Sequence, residues 1–496
     1  MSSRTTVPGI EVLTRDGRVR GLIGGGLRHW RGIPYATAPR FQRPGRVVPW
    51  ADVRDATAFG PVSPQVPPLG RVPMAEECLT INVIAPDTEA APRPVMVFIH
   101  GGAYTTGSSR EIAHLGENLV REGDVVFVNF NYRLGALGYL DFTRYSDDFD
   151  SNIGLRDQVT ALEWVRDSIR SFGGDPDNVT VFGESAGGNA ITTMLATPAA
   201  KGLFARAIVE SASPEAVYPA KLTRQWAEDF VEILREVTGD QGSSADELLR
   251  SSSAPMLVRA TSLMRKRTPD AVPGTIAFCP VIDGDYLPER PVDAAAAGRT
   301  HPVPLIIGTN AREGTLFRGS LDLLATTRPR IRAVVAKTER EARGALYAQY
   351  RALPPRRSAA QFGGDYTFWY PSIRFAEGHA THAPVRFYRF DVSTRALTYA
   401  GLEATHGIEL FAVFDLVDTP VGRAAGVLGG RTAFKRAAER MRRRWLGFAR
   451  DGDAGDDWAS YRSDQRATLI IAEHDRVELD PHRERRIAWQ AFVPHL

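Results

Sequence analysis

Along the middle of the chain, short apolar runs alternate with stretches in which apolar residues recur every three or four positions. Residues 95–99 (VMVFI), 125–129 (VVFVN), 179–182 (VTVF), 207–209 (AIV) and 305–307 (LII) read as buried strands. Between the second and third runs, Leu155, Val159, Leu162, Val165 and Ile169 fall on one face of a helix over 154–171. Strand–helix alternation of this kind predicts an α/β protein with a large, mostly parallel sheet covered on both faces. The first fifty residues differ, with short alternating segments broken by Gly and Pro that predict an antiparallel lead-in. A helix over 431–450 and a strand over 468–472 (TLIIA) are expected to close the sheet.

Two polar, Arg- and Ala-rich stretches, 243–274 and 319–365, lie between core strands and read as cap insertions or as plain surface helices. No repeat and no linker interrupts the chain, so residues 1–496 are expected to form one domain. Composition changes little: 43% hydrophobic and 24% charged residues fit an ordinary globular protein. A net charge of +3 with scattered basic residues argues against a nucleic-acid partner. The amino terminus has no signal-type apolar core, and no apolar run approaches the roughly 18 residues that span a bilayer. With two cysteines, Cys78 and Cys279, lacking any framework or metal-ligand spacing, a cytoplasmic protein without metal or membrane contact is expected. Oligomeric state is not encoded in any of these patterns.

The strongest chemical signal is Gly183-Glu184-Ser185-Ala186-Gly187, directly after VTVF and opening a helical segment that runs to about Leu195. A serine on a tight strand-to-helix turn needs small neighbours, and its oxygen then projects above the sheet at a helix amino terminus. The second signal is His100-Gly101-Gly102-Ala103, directly after VMVFI. Such a loop can aim backbone N–H groups at one point, where with the N–H of Ala186 they would hold an oxyanion; His100 reads as structural.

A nucleophilic serine needs an acid and a base later in the chain. Glu313 lies just past LII, at the carboxyl end of a core strand. His406 sits in a glycine-flanked loop, Gly401-Leu-Glu-Ala-Thr-His-Gly-Ile-Glu-Leu, whereas His301, His379, His382, His474, His482 and His495 have unremarkable contexts. Glu184 is the rival acid. Adjacent side chains diverge on a tight turn, so it is expected to point away from the imidazole. Phe317, Phe368, Trp369 and Tyr370 are expected either to line the substrate pocket or to pack in the core.

These residues resemble the type-B carboxylesterases, the family that includes cholinesterases and bacterial para-nitrobenzyl esterases. The resemblance rests on Gly32-Ile-Pro-Tyr-Ala, Glu76-Glu-Cys-Leu-Thr-Ile-Asn-Val, Phe172-Gly-Gly-Asp-Pro and Asn131-Tyr-Arg-Leu-Gly-Ala-Leu-Gly-Tyr. Asn178-Val-Thr-Val-Phe-Gly-Glu-Ser-Ala-Gly-Gly and the tail residues Asp480, Pro481, Arg486 and Trp489 extend it over nearly the whole chain. It implies the α/β-hydrolase fold and hydrolysis of a small carboxylic ester without a cofactor. It also implies Ser185 as nucleophile, Glu313 as acid and His406 as base, with an oxyanion hole from Gly102, Ala103 and Ala186.

Two departures matter. Relatives pair the cysteine matching Cys78 with one about fifteen residues earlier. This chain has Ser63 there, so that disulfide is expected to be absent. No tryptophan stands between Ser63 and Cys78, where cholinesterases carry their choline-binding one, which removes the main cation–π partner of a choline ester. Other readings are a hydrolase of carbamates, amides or macrolactone-type esters on the same triad, an interfacial lipase, and a non-catalytic binding relative. The last is disfavoured by the intact serine.

Overall fold

The computed structural model describes residues 7–66, 72–89, 92–111 and 115–494; His495 lies outside them. The strands in chain order are β1 (Val7–Leu13), β2 (Arg18–Gly24), β3 (Leu27–Pro34), β4 (Arg54–Asp55), β5 (Thr80–Pro86), β6 (Arg93–Ile99) and β7 (Val126–Phe130). They continue with β8 (Gly174–Glu184), β9 (Arg206–Glu210), β10 (Tyr218–Pro219), β11 (Val281–Ile282), β12 (Leu305–Asn310), β13 (Val385–Phe390), β14 (Ala467–Ile471) and β15 (Arg476–Leu479). Thirteen of them make one sheet in the order β1-β2-β3-β5-β7-β6-β8-β9-β12-β13-β14-β15, with β4 beside β2; β10 and β11 form a separate pair.

From β7 through β6, β8, β9, β12 and β13 to β14, neighbours run parallel. Strands β1, β2, β3 and β5 of the lead-in and the edge strand β15 pair antiparallel, whereas β4 runs parallel to β2. The five apolar runs read from the sequence all fall in the parallel part. Their side chains alternate between two cores. Val95, Val97, Ile99, Val179, Val181, Ala207, Val209, Leu305 and Ile307 enter one, and Met96, Phe98, Phe182, Ile208 and Ile306 enter the other. The helix Ile153–Ser168 covers the first face through Leu155, Val159, Leu162 and Val165. The helix Arg431–Asp451 covers the second through Phe434, Met441 and Trp445. The expected large parallel sheet with helices on both faces is therefore present.

The sheet departs from expectation at one end. The strand expected over 468–472 is β14, but β15 lies beyond it as the edge. A core strand that the apolar runs do not announce, β13, sits between β12 and β14. Its sequence VRFYRF carries two arginines, which hide a buried strand from a search for unbroken apolar runs. The stretches 243–274 and 319–365 hold the helices Ala245–Ser251, Ala254–Ala271, Arg328–Val334, Arg340–Ala348 and Pro355–Gly364. Among the described residues no helix is long and apolar enough to cross a membrane. Both cysteines are free and buried, and the Ser63 hydroxyl oxygen accepts from the Leu134 N–H at 3.1 Å.

The segment after β7 props the loop that follows β6. The Tyr132 hydroxyl donates to the carbonyl of His100 at 2.6 Å, and the Gly135 N–H donates to Tyr104 O at 2.7 Å. Arg133 anchors this segment. Its side chain is 2% exposed and makes a two-pronged ion pair with the fully buried Asp157, Nε to Oδ2 at 2.8 Å and Nη2 to Oδ1 at 2.5 Å. Its Nη1 donates to the carbonyls of Pro39 and Gln42 at 2.8 and 2.7 Å, joining the lead-in to the helix Ile153–Ser168.

Removing one member of a buried pair strands the other charge. Asp157→Ala should therefore lose about 3–5 kcal/mol of stability, read as a lower midpoint in chemical denaturation. An unchanged midpoint would show that Arg133 finds other compensation.

Candidate active site

Strand β8 ends at Glu184 and the helix Ala186–Leu195 begins two residues later, leaving Ser185 alone in the turn at φ 58°, ψ −119°. A non-glycine residue in this region costs about 1–3 kcal/mol and persists only where its surroundings fix it. Here the Ser185 N–H donates to Glu210 O at 2.9 Å, and its carbonyl accepts from the Asn189 N–H at 2.9 Å. The turn also passes close to β6. A Cβ on Gly187 would stand 2.0 Å from the Ile99 carbonyl oxygen, so no side chain fits there.

The loop after β6 lies against this turn. A Cβ on Gly101 would come within 3.1 Å of the Ser185 Cβ and 2.8 Å of Glu184 O. Gly102, Ala103 and Tyr104 follow at φ 111°, 52° and 54°, and consecutive residues of positive φ turn their amides toward a common side. Gly102 tolerates no Cβ, which would meet Thr106 O at 2.2 Å. Its own carbonyl receives the N–H groups of Thr105 and Thr106 at 3.0 and 3.1 Å. Among the described residues the amides of Gly102, Ala103 and Ala186 donate to no protein group, the last because it opens a helix. Ala103, Ser185 and Ala186 share a cavity of about 30 Å³ with Phe278, Phe317 and Phe368.

Glu313 begins a short turn just beyond β12, and His406 lies on a loop held beside it. The Arg312 N–H donates to Ala404 O at 3.0 Å. The Thr315 hydroxyl meets Leu402 O at 2.6 Å and Thr405 Oγ1 at 2.9 Å. Across this seam His406 Nδ1 and Glu313 Oε2 are 2.6 Å apart. The other carboxylate oxygen, Oε1, accepts from the Asn310 N–H at 2.6 Å and from the Ser211 hydroxyl at 2.7 Å. Phe317 and Phe368 flank the imidazole, with ring centroids 5.1 and 4.4 Å away. Among the described residues Ser185 Oγ forms no hydrogen bond with His406, whose Nε2 is buried and unbonded.

Glu184 does not point away from the imidazole. Its Oε1 stands 3.1 Å from His406 Nε2, out of line for a hydrogen bond. The ring therefore lies between two carboxylates, one at each nitrogen. Gly407 also comes close to Glu184.

Below this pair lies Glu409, hydrogen-bonded to both Ser211 and Asn310. The Ser211 hydroxyl touches a carboxylate oxygen of Glu313 and another of Glu409, yet carries a single proton. One of the two acids must then be protonated. Glu409 is the one whose burial, aided by the charge of Glu313, pushes its pKa up. In that arrangement Glu409 donates to Ser211, which donates to Glu313, and Glu313 faces His406. Burial likewise pushes Glu184 up. For His406, burial alone would lower the pKa, but Glu184 and Glu313, then Glu409, outweigh it and hold it at about 9.

The structure thus brings Glu313 and His406 into contact, and brings Ser185, Ala186 and the loop of Gly102 and Ala103 to one cavity. Of the four aromatic residues singled out in the sequence, Phe317 and Phe368 line that cavity. Trp369 and Tyr370 do not: Tyr370 stacks on Trp489 and Trp369 faces His482. A π-helical turn over Asp365–Trp369 rotates successive side chains to different sides. Ser211, Asn310 and Glu409 escaped sequence reasoning. Asn310 and Glu409 lie within the two motifs that carry Glu313 and His406, three residues away from each. Ser211 follows β9 with no motif to mark it.

Known proteins resemble this chain over nearly its whole length. A model of the carboxylesterase family matches residues 8–489. The chain is 36% identical to a para-nitrobenzyl esterase of Bacillus subtilis (strain 168), over 96% of this chain and 97% of that protein. It is 30% identical to a phenmedipham hydrolase of Pseudarthrobacter oxydans, over 93% and 94% of the two chains. A solved structure titled as a para-nitrobenzyl esterase superposes with a TM-score of 0.85 at 35% identity, covering 96% of this chain and 99% of its own.

If Glu184 helps hold the imidazole protonated, replacing it with a neutral amide removes that support while burial still opposes charge. Glu184→Gln should shift the NMR titration of His406 to lower pH. An unmoved titration would mean that the 3.1 Å approach carries no electrostatic weight.

Proposed function

The chain belongs to the carboxylesterase family and is a serine ester hydrolase, and within that frame we propose that Ser185, His406 and Glu313 carry the reaction. In this reading His406 removes the Ser185 proton as the serine oxygen attacks the ester carbonyl. Glu313 accepts a hydrogen bond from the Nδ1–H, fixes the productive tautomer and offsets the imidazolium that forms. The amides of Gly102, Ala103 and Ala186 receive the oxyanion. His406 then returns the proton to the departing alcohol, and water releases the acyl group by the same steps.

The observation that carries the reading is the 2.6 Å contact of Glu313 Oε2 with His406 Nδ1, together with the unbonded Nε2 on the other side of the ring. Support for the oxyanion hole comes from three unengaged amides beside the Ser185 cavity. Catalytic hydrogen bonds are often long before substrate binds, so the missing Ser185–His406 bond is compatible with the scheme. We also read the chain as one domain in which 319–365 forms part of a cap, because Leu323 and Leu324 reach the Ser185 cavity. Two buried free thiols are compatible with a reducing, cytoplasmic setting.

The acid assignment has a direct kinetic consequence. Glu313→Gln should lose on the order of 10⁴ in turnover, the cost of a wrong tautomer in a comparable triad. Glu184→Gln should lose less, about ten- to a hundredfold through the local field. Folded variants in the reverse order, as judged by circular dichroism, would overturn Glu313 as the acid.

A pH profile adds a second measurement. The base works only as neutral imidazole, and its pKa is raised to about 9. Activity should climb with pH above neutrality and fall away as the pH drops through that value. In Glu184→Gln the climb should begin at lower pH. A plateau already reached at pH 6 would contradict a raised imidazole.

A further inference from the structure

Beside the Ser185 cavity lies a second one of about 60 Å³. The two share the wall formed by Ser213, Ala216, Ile276, Leu323 and Leu324, so each adjoins the other. Phe317 and Phe368, the rings that flank His406, border only the first. In the reaction proposed above, the leaving alcohol takes its proton from His406 and must lie beside those rings. The acyl chain then extends the other way, toward the second cavity.

Two charged residues face that cavity, Glu215 and Arg290. Glu215 is engaged in an ion pair with Arg374. The Arg290 side chain has no ion pair or hydrogen bond among the described residues, and its Nε is buried without a partner. A buried, unpartnered guanidinium nitrogen is costly, and a planar fork of N–H groups is suited to a carboxylate. Tyr366 lines the same space, its phenol kept protonated chiefly by burial and so able to donate. A void of this size has room for several waters, hence for a carboxylate with part of its methylene chain.

We propose that this second cavity binds a carboxylate at the far end of the acyl group, with Arg290 as its partner, so that monoesters of dicarboxylic acids are substrates. The inference rests on Ser185 and His406 acting as described above. The chemistry at the scissile bond is unchanged, and the distal carboxylate stays ionised throughout.

The test compares two substrate series of graded chain length: mono-para-nitrophenyl esters of straight-chain dicarboxylic acids and para-nitrophenyl esters of the matching monocarboxylic acids. The quantity read is the ratio of kcat/KM for the charged ester over its uncharged counterpart. At the best chain length, Arg290→Gln should lower this ratio about tenfold or more, and Arg290→Lys should restore part of it. Because both esters report on one preparation, poor folding of a variant cancels from the ratio. A ratio that Arg290→Gln leaves unchanged, while the uncharged esters are turned over, overturns the anion site and leaves the ester-hydrolase reading standing. Turnover of neither series by the unsubstituted protein overturns both.

Discussion

The arrangement depends on one steric constraint, the close passage of the Ser185 turn over the end of β6. The Ile99 carbonyl leaves no room for a side chain at Gly187, and Gly101 lies directly against Glu184 and Ser185. Parallel pairing of β6 with β8, with Ile99 opposite Gly183, sets this approach. The same contact that bends the chain into a strained serine also seats the loop of Gly102 and Ala103 beside it. Ser185 and the amides of Gly102 and Ala103 are therefore positioned by a single backbone crossing rather than by independent loops. The props beneath it, Tyr132 on His100 and the buried Arg133–Asp157 pair, explain why a long motif far from the serine belongs to the same site.

Electrostatics forms a second layer built on that frame. Glu184, Glu313 and Glu409 crowd one buried imidazole, an arrangement that would be strongly unfavourable with every carboxyl charged. The single proton of the Ser211 hydroxyl resolves the conflict, since it obliges one neighbouring acid to be neutral. Burial favours Glu409 for that role, while Glu313 faces the imidazole directly. Glu184, beside the other ring nitrogen, raises the basicity of the same group from the turn that holds Ser185.

How much of this was legible in the sequence varied with the kind of interaction. The parallel core was visible because its strands are continuous apolar runs, and the lead-in was visible from its short, turn-broken segments. Strand β13 was not, because Arg386 and Arg389 interrupt its apolar pattern while Phe387, Tyr388 and Phe390 are buried. Ser185 and Glu313 stood out by their places at strand ends and His406 by its glycine-flanked loop, and Glu313 and His406 do meet in the fold. Ser211 did not stand out, since its role comes from a hydroxyl caught between two acids far away in sequence. The expectation that Glu184 would turn away treated the turn as a local object. In the folded chain the loop of His406 descends onto it, and that approach is a tertiary fact. Trp369 and Tyr370 show the same limit, as one wide helical turn separates them from the neighbouring Phe368.

The claim on which the rest depends is that Ser185 is the nucleophile. It is tested most directly by intact-mass spectrometry and peptide mapping after exposure to a fluorophosphonate that traps activated serines. The account predicts one adduct per chain, on the peptide that contains Ser185, and none in Ser185→Ala. An adduct on any other serine, or labelling that survives Ser185→Ala, would contradict it.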